Sequence, residues 1–153
     1  MKLQQIQNAL SRHRYHVIQR DDRAHAAVTI ILEEQVDGVK VLFIERSLSE
    51  SDPWSGHIGF PGGKVESSDR CLRDAAEREA REEVGIKLSQ SQYLGRISDV
   101  APGGLGIVVS GFVYAVDGTP DFQPAPHEVA RIFWMPLVEM TNPLRRSCVV
   151  LFV

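Results

Sequence analysis

Glu79, Glu82 and Glu83 stand close together in the chain, and a glycine pair, Gly62-Gly63, precedes them. On a helix turning about 100° per residue, the three carboxylates share an arc of about 100°. Leu72, Ala75 and Ala76 lie on the same face one or two turns earlier, so the acids continue an apolar stripe and belong at the edge of a core. Hard cations such as Mg²⁺ take oxygen ligands, commonly a few carboxylates, and leave positions for water and phosphate oxygens. The spacing suits such a cation. An acidic helix end without a ligand is the alternative the spacing leaves open, because like charges at i, i+4 cost only about 0.2–0.5 kcal/mol.

The helix that carries these acids is itself readable. Ser68-Asp69 supplies N-cap candidates, helix formers run from Leu72 to Val84, and Gly85 stands just past the end as a stop. Arg70, Asp74, Glu77 and Arg81 fall on the opposite side, with opposite signs near one another, which is the pattern of a solvated face.

Gly63, Asp69 and the run Arg78-Glu79-Ala80-Arg81-Glu82-Glu83-Val84-Gly85-Ile86 resemble the Nudix box, G-x5-E-x7-R-E-U-x-E-E-x-G-U with U aliphatic. The segment 62–86 follows that pattern with three departures. Ala80 is a small residue at an aliphatic position, Asp69 stands where glutamate is usual, and eight residues rather than seven separate Asp69 from Arg78. That spacing, with Phe60-Pro61-Gly62-Gly63, is similar to the coenzyme A pyrophosphatase branch of the Nudix hydrolases. Arg46-Ser47 and Gly56 match that branch as well, whereas its loop arginine is missing around Ser51-Asp52 and His57 replaces its glutamine.

The resemblance spans roughly Ala26 to Leu137 and implies an α/β (α+β) fold, a Nudix-type α/β/α sandwich around a mixed β-sheet. It implies Mg²⁺ or Mn²⁺ held by Glu79, Glu82 and Glu83, with the Gly63 carbonyl and Glu128 as further ligands. Glu128 precedes Trp134 in His-Glu-Val-Ala-Arg-Ile-Phe-Trp, the place from which a glutamate returns to the metal centre in similar enzymes. Arg78 resembles the arginine that holds the carboxylates by ion pairing. The implied reaction is hydrolysis of a pyrophosphate linkage in a nucleoside diphosphate derivative, with coenzyme A the leading substrate. ADP-ribose, dinucleoside polyphosphates and nucleoside triphosphates are the alternatives, and a nucleotide-sensing module without catalysis is a further one. Glu79 and Glu128 are both candidates for the general base. Arg46, His57, Phe60, Gly62 and Gly63 are the candidate substrate-binding residues.

The loop Arg46 to Ser55 and the turn Gly56 to Pro61 should face the substrate, because glycines let backbone approach a ligand closely. Trp54 either stacks on a base or packs over its own loop. His57 is either a binding residue or a polar edge residue. Asp99 to Gly106 is glycine-rich but lacks the P-loop pattern, and reads as a flexible lip to the pocket.

Positioning these residues requires a framework. Leu3, Ile6, Leu10 and His13 recur at helical spacing within Met1 to Val17, a short amphipathic helix in the extension 1–20. Arg20 to His25 is polar and reads as a loop. Ala26 to Leu32 and Val39 to Glu45 read as central strands of a hairpin turning at Asp37-Gly38. Tyr93 to Ser98, Ile107 to Val116 and Ile132 to Met135 read as strands, Asp117 to His127 as a surface loop and Leu137 to Asn142 as a turn or short helix. Arg146 to Val153 is a last apolar segment. Similar domains carry a C-terminal helix over one sheet face, so the N-terminal helix or a second copy of the chain, as a homodimer, is expected there.

Chain length and 43% hydrophobic residues suit one domain, 1–153, with an ordinary core. The net charge of −3 gives no basic footprint for nucleic acid, and no apolar run has the length of a membrane span. Cys71 and Cys148 form neither a disulfide framework nor a zinc spacing. With no hydrophobic leader at the N-terminus, the expected home is the cytoplasm.

Overall fold

The computed structural model describes residues 1–145 apart from residue 20, and its framework is a seven-stranded mixed sheet. Cys148 and the apolar stretch Arg146 to Val153 lie outside the described residues, as does Arg20. In chain order the elements are α1 (Leu3–Arg12), β1 (Ala24–Gln35), β2 (Gly38–Arg46), β3 (Ile58–Gly59) and β4 (Gly62–Lys64). Then come α2 (Leu72–Val84), β5 (Gln92–Arg96), β6 (Ile107–Val116), β7 (Val129–Pro136) and the short α3 (Leu137–Thr141).

The strands run β3-β2-β1-β6-β5, with β4 also on β1 and β7 also on β2. β1 and β6 are parallel from Ala24 opposite Ile107 to Glu33 opposite Val116. The pairings of β2 with β1, β3 and β7, of β4 with β1, and of β5 with β6 are antiparallel. β1 is central, and its residues alternate between two apolar layers as the pleat requires. Ala27 and Ile31 join Leu42, Ile44, Phe112 and Tyr114 in the layer under Ala75, Ala76, Ala80 and Val84 of α2. Leu32 joins Val39, Val41, Val113 and Ala115 in the layer that receives Leu3, Ile6 and Leu10 of α1. A helix therefore covers each face, the α/β/α sandwich expected. α1 packs on this chain's own sheet, and full burial of a Leu or Ile is worth about 1.5–3 kcal/mol, less for its partly buried side chains.

Five details depart from the sequence reading. Ala24 and His25 belong to β1 rather than to a loop, since the Ala24 N–H already donates to the Gly106 carbonyl at 3.0 Å. The hairpin turns one residue early: Gln35 pairs with Gly38 across Val36-Asp37. Glu33 stays in the strand because its buried carboxylate accepts from Thr119 at 2.9 Å and from Gln35 at 2.6 Å. The N-cap of α2 is Cys71, with no side-chain cap bond, and Asp69 is engaged elsewhere. Glu77 does not merely face solvent, because Tyr114, fully buried, donates its hydroxyl to Glu77 and accepts from Arg73 at 2.9 Å. Gly85 ends α2 in the left-handed conformation, φ +78°, as its position predicts. Among the described residues no helix is long and apolar enough to cross a membrane.

Candidate active site

β4 is short, yet it brings the glycine pair to the carboxylates. It pairs with β1 through Val28 opposite Gly62, Ala27 opposite Gly63 and Ala26 opposite Lys64. A Cβ on Gly62 would collide with the Ala27 carbonyl oxygen and stand 2.6 Å from Val28 Cα. A Cβ on Gly63 would stand 2.5–2.7 Å from the carboxyl group of Glu79. The two glycines thus serve different needs: Gly62 lets strand meet strand, and Gly63 leaves room for an acid.

Glu83, 1% exposed, is the most deeply placed carboxylate on α2. One oxygen accepts from the Gly62 N–H at 2.8 Å, and the other faces Arg46 at 3.3 Å. Burial pushes its carboxyl up to about 7; the Gly62 N–H opposes this, the negative charge of Glu79 adds to it, and Arg46 offsets part. Burial also raises Glu79, against the pull of Arg78. Each acid keeps one cationic partner, Arg46 for Glu83 and Arg78 for Glu79, and burial outweighs it.

Arg78 organises the rim. Its guanidinium forks onto Asp69 at 2.9 and 3.0 Å, and donates to Glu79 at 2.9 Å, to Glu82 at 3.1 Å and to the Lys64 carbonyl at 3.1 Å. Hydrogen bonds from Arg78 hold Asp69 below the usual carboxylate range, and burial only partly opposes them. Such a planar fork fixes geometry as well as charge. Asp69 is therefore the anchor of Arg78.

Glu128 enters from the other side. The loop before β7 runs along the end of α2, where Gln123 N–H donates to the Val84 carbonyl and Ala125 N–H to the Glu83 carbonyl, each at 2.9 Å. The Ser47 N–H then holds the Glu128 carbonyl at 2.9 Å. This stitching sets Glu128 beside Arg46, with its exposed side chain at the mouth of the cavity.

Glu79, Glu83 and Glu128 line one cavity of about 720 Å³ together with Gly62, Gly63, Arg46 and Lys64. Its size is that of a small-molecule site. His57, Phe60 and Trp54 also line it, and Ala26, Val28, Ile107, Val109, Pro102 and Leu105 supply an apolar wall. A groove of about 830 Å³ beside α1, lined by Ile6, Leu10, His13 and Ile97 among others, contains no carboxylate.

Of the ten residues singled out from sequence, eight line this cavity. Arg78 stands behind Glu79, and Glu82 does not line the cavity; half-exposed, it turns to Arg78. Arg46 is shared between Glu83 and Asp52, whose carboxylate it meets at 2.8 Å. Trp54 and His57 meet edge-on, with centroids 6.0 Å apart. Phe60 stacks on Phe43 at 4.9 Å, so one side of its ring belongs to the α1 layer. Asp52 and Lys64 carried no periodic signal, and the apolar wall is assembled from β1, β6 and the loop of Pro102 and Leu105, which only the fold brings together.

The carboxylates and the Gly63 carbonyl are hard oxygen donors, and the burial of Glu83 and half-burial of Glu79 outweigh the pull of Arg46 and Arg78 on their charged forms, so the residues fit a divalent cation. As they stand, no three His, Cys, Asp or Glu side chains among the described residues form a group that could hold an ion. Arg78, Arg46 and the Gly62 N–H engage their oxygens instead.

The family model of the NUDIX domain matches residues 23–148. An uncharacterised protein of Schizosaccharomyces pombe is 33% identical over 110 residues, covering 67% of this chain and 33% of that protein. An uncharacterised Nudix hydrolase of Photorhabdus laumondii is 32% identical over 119 residues, covering 78% of this chain and 62% of its own length. The chain thus spans about a third of the first relative and under two thirds of the second. Among solved structures, the binary complex of the Ap4A hydrolase of C. elegans superposes with a TM-score of 0.62 at 21% identity, over 76% of this chain and 82% of that one. At that identity the likeness is one of fold.

Proposed function

The chain belongs to the Nudix family, and from that premise we propose that it is a divalent-cation-dependent hydrolase of a pyrophosphate linkage in a nucleoside diphosphate derivative. The observation that carries this reading is the convergence of Glu79, Glu83 and Glu128 with Gly63 on one cavity, Glu83 buried and Glu79 half-buried.

In this reading Glu79, Glu82, Glu83, Glu128 and the Gly63 carbonyl would hold Mg²⁺ or Mn²⁺. Such a cation, when bound, screens the charge of a diphosphate and acidifies water. The chain's own residues do the rest. Arg78 orients Glu79 and Glu82 and is itself braced by Asp69. Glu79 and Glu128 both line the cavity and are the two candidates to accept the proton of an attacking water. Lys64 and Arg46 offer positive charge to phosphate oxygens, while the wall of Val28, Ile107, Val109 and Leu105 keeps water away from one side of the substrate. His57 and Trp54 flank the entrance.

Coenzyme A is the leading substrate, supported by the likeness of Arg46-Ser47 and Phe60-Pro61-Gly62-Gly63 to the coenzyme A branch. ADP-ribose, dinucleoside polyphosphates and nucleoside triphosphates are its competitors. The test is incubation of the protein with Mg²⁺ and each compound, watching for phosphomonoester products. Cleavage of a diphosphate ester by the parent protein and not by Glu83→Gln supports the reading. Intact substrates throughout would remove it.

A further inference from the structure

The N-terminal segment after α1 and the first residue of β1 are fastened to the two feet of the loop that overhangs the cavity. At one foot, the Asp99 N–H donates to the His16 carbonyl at 2.9 Å and the Asp99 carboxylate accepts from the Ile18 N–H at 3.0 Å. Ser98 Oγ accepts from the His16 N–H at 3.0 Å, and the Arg96 guanidinium lies 4.9 Å from the centre of the Tyr15 ring. At the other foot, the Ala24 N–H holds the Gly106 carbonyl at 3.0 Å. Between the feet, Val100 and Val109 exchange two hydrogen bonds of 3.0 and 2.8 Å, and Pro102 and Leu105 reach the cavity wall.

Asp99 is the hub of this fastening. Its side chain is fully buried, and beyond Ile18 it accepts from Arg96 and from Ser110, each at 2.7 Å. Ser110, also fully buried, contacts His25 at 2.9 Å, which ties the network to the start of β1 beside β4. Burial works against the charge, yet the three donors hold the carboxyl below its usual range. A buried charge that accepts from three separate segments has no equivalent neutral replacement, because an amide in its place would set an N–H₂ against at least one donor.

We propose that Asp99 is a positioning residue for the substrate: through Ile18 and Ser110 it clamps the lip of residues 100–106, and so sets where Pro102 and Leu105 stand against the bound molecule. This rests on the cavity being the substrate site. It touches none of the carboxylates proposed to do chemistry, so it acts on binding rather than on the bond broken.

Two measurements test it. Hydrogen–deuterium exchange of the amides of residues 100–106 needs no substrate, and Asp99→Asn should quicken it by about tenfold while α2 exchanges as before. Unchanged exchange in the lip would overturn the proposal. In steady-state kinetics Asp99→Asn and Leu105→Ala should each raise KM about fivefold with kcat within about twofold. A fall in kcat at constant KM would mark Asp99 as merely structural and sink the idea. If Asp99→Asn does not fold, Ile18→Pro, which deletes one donor to the carboxylate and leaves Ser110 and Arg96 in place, should give the same exchange and KM changes; a Pro variant with parent values counts against it. Should the parent cleave nothing, the functional reading fails while the exchange result still decides the clamp.

Discussion

The Glu83 carboxylate accepts a 2.8 Å hydrogen bond from the backbone N–H of Gly62, joining the last turn of α2 to the three-residue strand β4. Within the proposed function this bond aims the deepest acid of the site at the cavity. Glu83→Gln keeps the shape and can keep the bond, but it loses the charge. Its kcat on the best diphosphate substrate should fall by about 10²–10⁴-fold with far-UV circular dichroism unchanged.

The same residue makes stability depend on pH. Burial lifts the Glu83 carboxyl from the usual 4.5 to about 7, so the folded protein binds this proton more readily than the unfolded chain does. The favourable contribution is therefore complete below about pH 4.5 and is lost as pH rises through about 7. In chelator, Glu83→Gln should be more stable than the parent at pH 8 by about 1–2 kcal/mol. Urea melts at pH 8 and pH 4.5 should show that gap and then its disappearance.

Cations should restore what pH 8 removes. Mn²⁺ binding only the folded state at 100 times its Kd would add about 2.7 kcal/mol. Thermal melts in Mn²⁺ against chelator should show a rise in Tm for the parent and little or none for a Glu79→Gln/Glu83→Gln double variant.

Gly62 and Gly63 should fail in different ways when given a methyl group. Gly62→Ala drives Cβ into the backbone of β1, which cannot yield, and should lower Tm sharply. Gly63→Ala meets first the movable end of Glu79. It should melt near the parent temperature and lose about 10²-fold in kcat.

Arg78→Lys tests the fork. Lysine cannot reproduce the bidentate grip on Asp69 while also holding Glu79 and Glu82. Its kcat should drop about 10–100-fold at nearly constant KM, and Asp69→Asn should do the same. In the double variant the two losses should not add, because both cut one linkage.

Much of this was legible from the residues alone. The helical spacing of Leu72, Ala75 and Ala76 and the stop at Gly85 located α2, and the runs Ala26 to Leu32 and Ile107 to Val116 located two long strands, though not their parallel pairing. The box glutamates and the glycine pair read as one site, and Leu3, Ile6 and Leu10 read as a short amphipathic helix, one of two candidates to cover the second face. What stayed hidden depends on tertiary partners. Asp69 looks like a cap until Arg78 folds against it, Glu77 looks solvated until Tyr114 arrives from β6, and Glu82 shares the arc of Glu79 yet turns to Arg78 at the surface. Asp99 and Ile18 lie far apart in sequence, so no local pattern could join them.

The stitching of Gln123 and Ala125 onto the final carbonyls of α2 couples two remote parts of the chain. Fraying of that helix end would release the strap that carries Glu128 at the same moment as it loosens Glu83. Gentle warming should therefore extinguish turnover in one step, while the sheet beneath is still intact.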